Sequence, residues 1–200
     1  MRRVGLIICA AVAIILSATA ATARADLLPS LLGGNCGATA PVFSPWGDWS
    51  GYYFARNGGF ESGSTGWSLT GNAAVVSGDE PWKLSGSGSH SLLVPAGSSA
   101  AITVCYGLTY PAIRFLVSGR GGPATVHVRV IAQGLLGVLS VLDGGTFTAG
   151  SSWAPSPKLS TLMSALGTPV GTKSLQLQFA VESGAANFDD LYVDPFLSKS

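Results

Sequence analysis

The chain has 200 residues, of which only 10% are charged, with 11 Lys and Arg against 10 Asp and Glu. Because phosphate binding needs a basic patch, this balance argues against nucleic acid as a partner. Hydrophobic residues make up 47% of the chain, which excludes a disordered protein, and 27 glycines indicate many turns. The composition is typical of one all-β domain.

Residues 1–25 have the pattern of a secretory signal peptide. Two arginines precede an apolar run at 4–16, and Ala23-Arg24-Ala25 fits the A-x-A cleavage pattern. An uncleaved anchor is the alternative, but the run is shorter than the ~20 residues that a membrane span needs. Removing the segment's three arginines leaves 8 Lys and Arg against 10 acids, a net charge of −2. We therefore expect a secreted, extracellular protein with no membrane span in the mature chain.

The mature chain retains two cysteines, Cys36 and Cys105. An even count in an oxidising compartment predicts that they form a disulfide. Two buried thiols, or a lipid anchor on Cys36, are the alternatives. A bridge closing a loop of about 70 residues would stabilise the fold by about 4 kcal/mol in the chain-entropy model.

Residues 26–54 are predicted to form an N-terminal leader that ends in an aromatic segment. Six aromatic side chains fall within twelve residues: Phe43, Trp46, Trp49, Tyr52, Tyr53 and Phe54. Exposed Trp and Tyr rings could serve as platforms for a ligand. The alternative is that the segment lies across the domain and buries its rings, since so many aromatic residues rarely all stay in water.

Alternating apolar and polar residues predict strands along the remaining domain, residues 55–197. The clearest are 124–130 and 175–181. Shorter or weaker candidates are 67–69, 73–76, 91–94, 102–104, 113–117, 138–142 and 191–193. Eight or so short strands, half-buried and separated by Gly-rich turns, predict an all-β fold, an antiparallel β-sandwich.

One segment has helical rather than strand spacing. Leu159, Leu162, Met163 and Leu166 fall at i, i+3, i+4 and i+7. Pro157 suits a first helical position, and a glycine follows the pattern. We therefore expect one short helix near 157–166.

The sequence contains no recognisable catalytic set. There is no H-E-x-x-H, G-x-S-x-G, P-loop or G-x-G-x-x-G motif. Of the two histidines, His127 alternates with valines and should face outward, whereas His90 follows a Gly/Ser stretch. A pair of carboxylates distant in sequence could still make a small hydrolase, but the chain has few acids, and we expect no enzyme.

The acids cluster in one place, Asn187-Phe-Asp-Asp-Leu-Tyr-Val-Asp194. Strand alternation puts Asp189 on the apolar side, where a carboxylate needs a cation or several hydrogen bonds. Glu61 could meet it, and calcium binds such carboxylates. The alternative is that both acids accept backbone N–H bonds.

Three motifs in order carry a family resemblance: Asn57-Gly-Gly-Phe-Glu61, Gly66-Trp67 and Phe188-Asp-Asp-Leu-Tyr-Val-Asp-Pro195. Together, over residues 55–196, they resemble carbohydrate-binding modules with the galactose-binding-like jelly roll. The resemblance implies that the first motif lies beside the last strand. It also implies a structural calcium near Glu61 and Asp189. The Pro45-Trp46-Gly47-Asp48 stretch, with the cysteines, resembles secreted bacterial proteins of this size.

These observations predict a secreted, non-catalytic jelly-roll module that binds polysaccharide or another cell-surface component. The candidate ligand-binding residues are Trp82, Trp46, Trp49 and Tyr52. The alternative is a structural or adhesive surface protein with protein partners and no saccharide site.

Overall fold

The computed structural model describes residues 36–105, 112–160, 172 and 174–195. A 3-10 turn at Ser44–Trp46 precedes twelve strands. The strands are β1 (Tyr53–Phe54), β2 (Trp67–Thr70), β3 (Ala74–Ser77), β4 (His90–Pro95), β5 (Ser99–Val104), β6 (Ala112–Gly119), β7 (Ala124–Gly134), β8 (Gly137–Ala149), β9 (Ala154–Pro155), β10 (Leu159–Ser160), β11 (Ser174–Ser183) and β12 (Ala185–Asp194).

The strands form two antiparallel sheets, which confirms the predicted all-β antiparallel sandwich. The five-stranded sheet has the order β2-β5-β11-β7-β8. The seven-stranded sheet has the order β10-β6-β12-β4-β3, with β1 added to β12 and β9 added to β6. Consecutive strands β7 and β8 form a long hairpin at one edge of the five-stranded sheet.

The core lies between the inner faces of the two sheets, where alternation along each strand sends apolar side chains inward. On β7, Val126, Val128 and Val130 are fully buried, and their polar neighbours point outward. Phe115 of β6 meets Phe179 of β11 edge-to-face, with ring centroids 5.1 Å apart. The alternation seen in the sequence is therefore the alternation of the fold.

The helix predicted near 157–166 is wrong for its first residues. Leu159 and Ser160 form β10, which pairs with Ile113 and Ala112 at the edge of β6. Backbone groups at a sheet edge gain hydrogen bonds from a strand, so this pairing overrides the helical spacing. Leu159 is buried, as the helical pattern also predicted, but it lies in a strand. Residues 161–166 lie outside the described residues.

Cys36 and Cys105 form the predicted disulfide, with their Cα atoms 5.5 Å apart and a separation of 69 residues. The bond ties the chain ahead of the aromatic segment to the residue after β5. The predicted signal peptide at 1–25 lies outside the described residues. Within the part that the structure describes, no helix has the length and apolar character to cross a bilayer.

Candidate functional site

The aromatic segment folds across the outer face of the seven-stranded sheet. Phe43 and Tyr52 are buried there against Leu116 of β6 and Tyr192 of β12. The Phe43 ring lies 5.2 Å from that of Tyr52 and 5.7 Å from that of Tyr192, in both cases edge-on. The prediction that Tyr52 is a ligand platform therefore does not fit the structure, because its ring fills the space between the aromatic segment and the sheet.

A partly buried ion pair fixes this segment to the sheet. The Asp48 carboxylate accepts hydrogen bonds from the Tyr52 hydroxyl at 2.7 Å, the Ser50 N–H at 3.1 Å and Arg114 at 3.0 Å. Burial opposes ionisation of Asp48, but these hydrogen bonds outweigh it and lower its pKa to about 2. The Arg114 guanidinium also lies 4.9 Å above the Phe43 ring. Charge and packing thus hold the segment together.

The candidate site is the aromatic patch, defined as Trp46 and Trp82. Their rings meet edge-to-face with centroids 5.1 Å apart. Trp82 is 44% exposed, while Trp46 is half-buried against the segment. Trp49 is 67% exposed, so three of the four predicted ligand residues reach the surface. Residues 36 positions apart in sequence thereby form one partly exposed apolar surface.

The loop that carries Trp82 is held from beneath by buried carboxylates. Glu80 accepts the N–H of Trp82 and, at 2.6 Å, the N–H of Leu84. Asp190 of β12 accepts the N–H of Ser85 at 2.9 Å. Burial raises the pKa of Glu80 despite these two bonds. These carboxylates satisfy backbone N–H groups that would otherwise lack hydrogen-bond partners in a tight turn. The backbone that carries the Trp82 ring is therefore fixed in place.

The two predicted calcium ligands serve the two ends of this loop. Glu61 accepts the N–H groups of Ser89 at 2.7 Å and His90 at 2.8 Å. Asp189 accepts the N–H of Asp190 at 2.8 Å and, more weakly, that of Glu80 at 3.4 Å. The backbone N–H of Ser89, with further bonds from Ser89 and His90, lowers the pKa of Glu61 to about 2. Burial, with Asp79 nearby, raises that of Asp189 to about 9.

These contacts fit the interpretation of both acids as backbone acceptors and do not fit a calcium site. Each carboxylate faces N–H donors, and a cation would require those donors to turn away. Glu61 contacts the far end of the loop at Ser89, whereas Asp189 contacts its start at Glu80. Over residues 36–105, 112–160 and 174–195, no group of three or more His, Cys, Asp or Glu side chains is placed to hold a metal.

The Asn57–Glu61 segment lies beside β12, as the family resemblance implies. The Leu191 N–H donates to the Gly58 carbonyl at 3.2 Å, and the Ala55 N–H donates to the Leu191 carbonyl at 2.9 Å. A Cβ at Gly58 would lie 2.8 Å from the Leu191 oxygen, so only glycine allows this approach.

Solved structures share this architecture at low sequence identity. No protein-family model and no curated protein sequence matches the chain. The CBM22-1 xylan-binding domain from Paenibacillus barcinonensis Xyn10C aligns with a TM-score of 0.53 and 16% identity, over 81% of this chain and 100% of that one. A structure described as the xylan-binding domain from CBM 22 aligns at 0.51 and 15%, over 74% and 97%.

The tandem CBM22-1-CBM22-2 structure from the same Xyn10C aligns at 0.53 and 15%, over 76% of this chain but only 46% of that one. The chain thus spans under half of the tandem protein and all of the isolated domain. This chain has the carbohydrate-binding-module-like jelly-roll fold. At such identities the likeness establishes the fold alone.

The outer face of the five-stranded sheet is polar, in contrast to the aromatic patch. His127 of β7 faces outward, as predicted, and lies 3.0 Å from Asp143 and 3.2 Å from Glu182. Arg129 lies 3.4 Å from both His127 and Gln178. These groups satisfy one another, and none of them is a Trp, Tyr or Phe side chain.

Sequence reasoning missed the carboxylates that position Trp82. Glu80 stands in a polar stretch with no periodicity, so no local pattern marks it as buried, yet it is 1% exposed. Phe54, which is 40% exposed and packs on Tyr192 with centroids 5.1 Å apart, also received no role. The dense aromatic run that ends at Phe54 was the sequence signal that could have identified it as a surface residue of interest.

Proposed function

We propose that this chain is a non-catalytic, secreted module that binds polysaccharide through the aromatic patch. The observation that carries the proposal is the Trp46–Trp82 pair, whose exposed ring stands on a loop fixed by buried carboxylates. Sugar sites use such rings because the C–H faces of a pyranose pack against an aromatic surface. A fixed ring also avoids the entropy that ordering a mobile loop would cost.

Polar groups beside the ring supply the orientation that stacking lacks. The Lys83 ammonium donates to Asp79 at 2.9 Å and to the Gly88 carbonyl at 2.9 Å. About half of the Lys83 side chain remains exposed. Sugar hydroxyls both donate and accept hydrogen bonds, so the half-exposed Lys83 ammonium next to Trp82, held in place by Asp79, is a suitable partner.

Secretion and the absence of catalysis rest on separate support. The signal-peptide pattern at 1–25 and the Cys36–Cys105 disulfide favour an oxidising, extracellular location. The lack of catalytic motifs and the low number of acids favour binding over hydrolysis. The xylan-binding domains with the same fold make xylan the first ligand to test.

The test is affinity electrophoresis of the purified chain in gels that contain xylan or other plant and bacterial polysaccharides. Trp82→Ala should weaken retardation by about tenfold or more, because a central Trp commonly dominates an interface. Trp49→Ala is the matched control, since it removes an exposed Trp outside the patch. Arg129→Ala probes the five-stranded face.

Binding that survives Trp82→Ala but is lost in Arg129→Ala would move the site to the five-stranded sheet. Failure of the wild-type chain to bind any polysaccharide would contradict the proposal and favour a surface protein with protein partners.

A further inference from the structure

The β7–β8 hairpin ends in an exposed apolar tip. Leu135 and Leu136 form the turn between the paired residues Gly134 and Gly137. Leu135 is 84% exposed, and Leu136 is fully exposed. Three further aliphatic side chains on β8 are exposed: Val138, Leu139 and Val141. Single exposed apolar residues are normal, but five on one hairpin indicate an interaction surface.

The same stretch carries no charge. Residues 130–142 contain no Asp, Glu, Lys or Arg. The charged residues that flank it, Arg129 and Asp143, are hydrogen-bonded to neighbours on the outer face of the sheet. Two copies of this surface could therefore meet without bringing like charges together.

Strand β8 is also an edge of the five-stranded sheet. It pairs with β7 on one side, and no described strand pairs with its other side. Its 13 residues give an edge of about 44 Å at about 3.4 Å per residue. Natural edges are protected by charges, proline, β-bulges or short length. Strand β8 has one charged residue and no proline, and its two bulges, at Leu139 and Gly144, leave residues 140–143 as a regularly paired stretch between them.

These two properties together select the partner. Unpaired N–H and C=O groups along a strand edge cannot enter hydrocarbon, so a lipid bilayer does not suit β8. A flat protein surface would cover the side chains and leave the backbone unsatisfied. A β-strand that is itself apolar and uncharged satisfies both requirements, and a second β8 has these properties.

We propose that two copies of the chain associate through antiparallel pairing of their β8 strands about a two-fold axis. The two five-stranded sheets then become one continuous sheet. Exposed aliphatic side chains of each β8 face those of its partner as cross-strand neighbours. The association is independent of polysaccharide binding, because the aromatic patch lies on the other sheet.

The first test is sedimentation equilibrium of the full chain with its disulfide formed. The wild-type chain should be a dimer. Val141→Lys should raise the dimer dissociation constant by about tenfold or more, because it places two ammonium groups at the shared edge. Ser68→Lys is the matched control: it adds the same charge at β2, the opposite edge of the same sheet, and should leave the dimer unchanged. Thermal melts verify that both variants fold.

The second test is backbone amide exchange across 137–142 above and below the dissociation constant. Edge pairing predicts that amides along β8 become slower to exchange in the dimer. A wild-type chain that stays monomeric, or a dimer that survives Val141→Lys, overturns the proposal. So does a dimer with no change in β8 exchange, or a monomer that binds phosphatidylcholine vesicles through the hairpin.

Discussion

The outer faces of the two sheets differ in burial: one is covered by another segment of the chain and the other is partly exposed. On the seven-stranded sheet, Leu116 and Tyr192 point outward and are buried beneath the aromatic segment. On the five-stranded sheet, His127, Arg129 and Gln178 point outward and remain partly exposed. The cause lies in the strands themselves, since β6 carries Leu116 on its outer face and is buried there except at half-buried Arg114, whereas β7 alternates between buried and partly exposed residues. A sheet face that carries Leu and Tyr must be covered, and a polar face need not be.

The difference also explains where the candidate site formed. The segment that covers the seven-stranded sheet carries Trp46 with it and places this ring against Trp82. The five-stranded sheet has no covering segment among the described residues, and its polar side chains pair with one another. A requirement of packing thus produced the aromatic surface.

The largest expected effect is on stability, when Phe43 of the aromatic segment is substituted. Phe43→Ala removes a fully buried ring that touches Tyr52 and Tyr192, so it should lower the free energy of unfolding by about 3–5 kcal/mol. Gln178→Ala on the five-stranded face should change it by less than about 0.5 kcal/mol. Urea denaturation measures both. Equal costs would mean that the aromatic segment does not stabilise the sheet it covers.

Two acids, one from each sheet, should respond oppositely to pH. Burial and Asp79 raise the pKa of Asp189 to about 9 from 3.8. The folded state keeps this proton while the unfolded chain loses it, so the free energy of unfolding falls as pH rises from about 4 to about 9. The slope should approach about 1.4 kcal/mol per pH unit.

Asp189→Asn, which is neutral at every pH, should reduce that slope in urea titrations at pH 5–8. The part contributed by Glu80 and Asp190, whose pKa values burial also raises, should remain. Asp143→Asn on the five-stranded face is the control. The Gly145 N–H and His127 lower the pKa of Asp143, so its stabilising effect is complete above about pH 4 and is lost only as the pH falls further. The slope at pH 5–8 should therefore persist in Asp143→Asn. A slope unchanged by Asp189→Asn would show that Asp189 is ionised in the folded state.

The smallest effect expected is that of calcium. Because Glu61 and Asp189 face backbone N–H donors, a chelator should change the melting temperature by less than about 1 °C. Differential scanning calorimetry with chelator, with excess calcium and with neither measures this. A rise of several degrees in calcium would restore these two acids as candidate metal ligands.

Local pattern was sufficient for the strands whose two faces differ. At 124–130 and 175–181, each inward residue was marked by alternation, and the predicted strands lie within β7 and β11. The same logic failed at Leu159, where an i, i+3, i+4 spacing predicted a helix but Leu159 and Ser160 pair as a strand. Periodicity records which residues are buried, but not which neighbour buries them.

For the candidate site, the sequence supplied residue types without their arrangement. Trp82 was named as a candidate ligand residue, and its ring is partly exposed. Tyr52 was proposed for the same role, yet it is buried by a sheet face that no local pattern reveals. Glu61 and Asp189 were recognised as important acids, but the sequence did not show that Glu61 accepts N–H groups at Ser89 and His90, or that Asp189 accepts those of Asp190 and Glu80.

The sequence by itself determined the class of fold, the pairing of two cysteines and the segments of alternating strand. Each of these three is set by local composition or by a count, and none depends on which elements meet. Only the tertiary structure decided that the aromatic segment covers one sheet, that Trp46 reaches Trp82, and that β8 is left as an apolar edge. Those outcomes depend on contacts between distant residues, and the energy of such a contact belongs to the pair and not to either stretch of sequence.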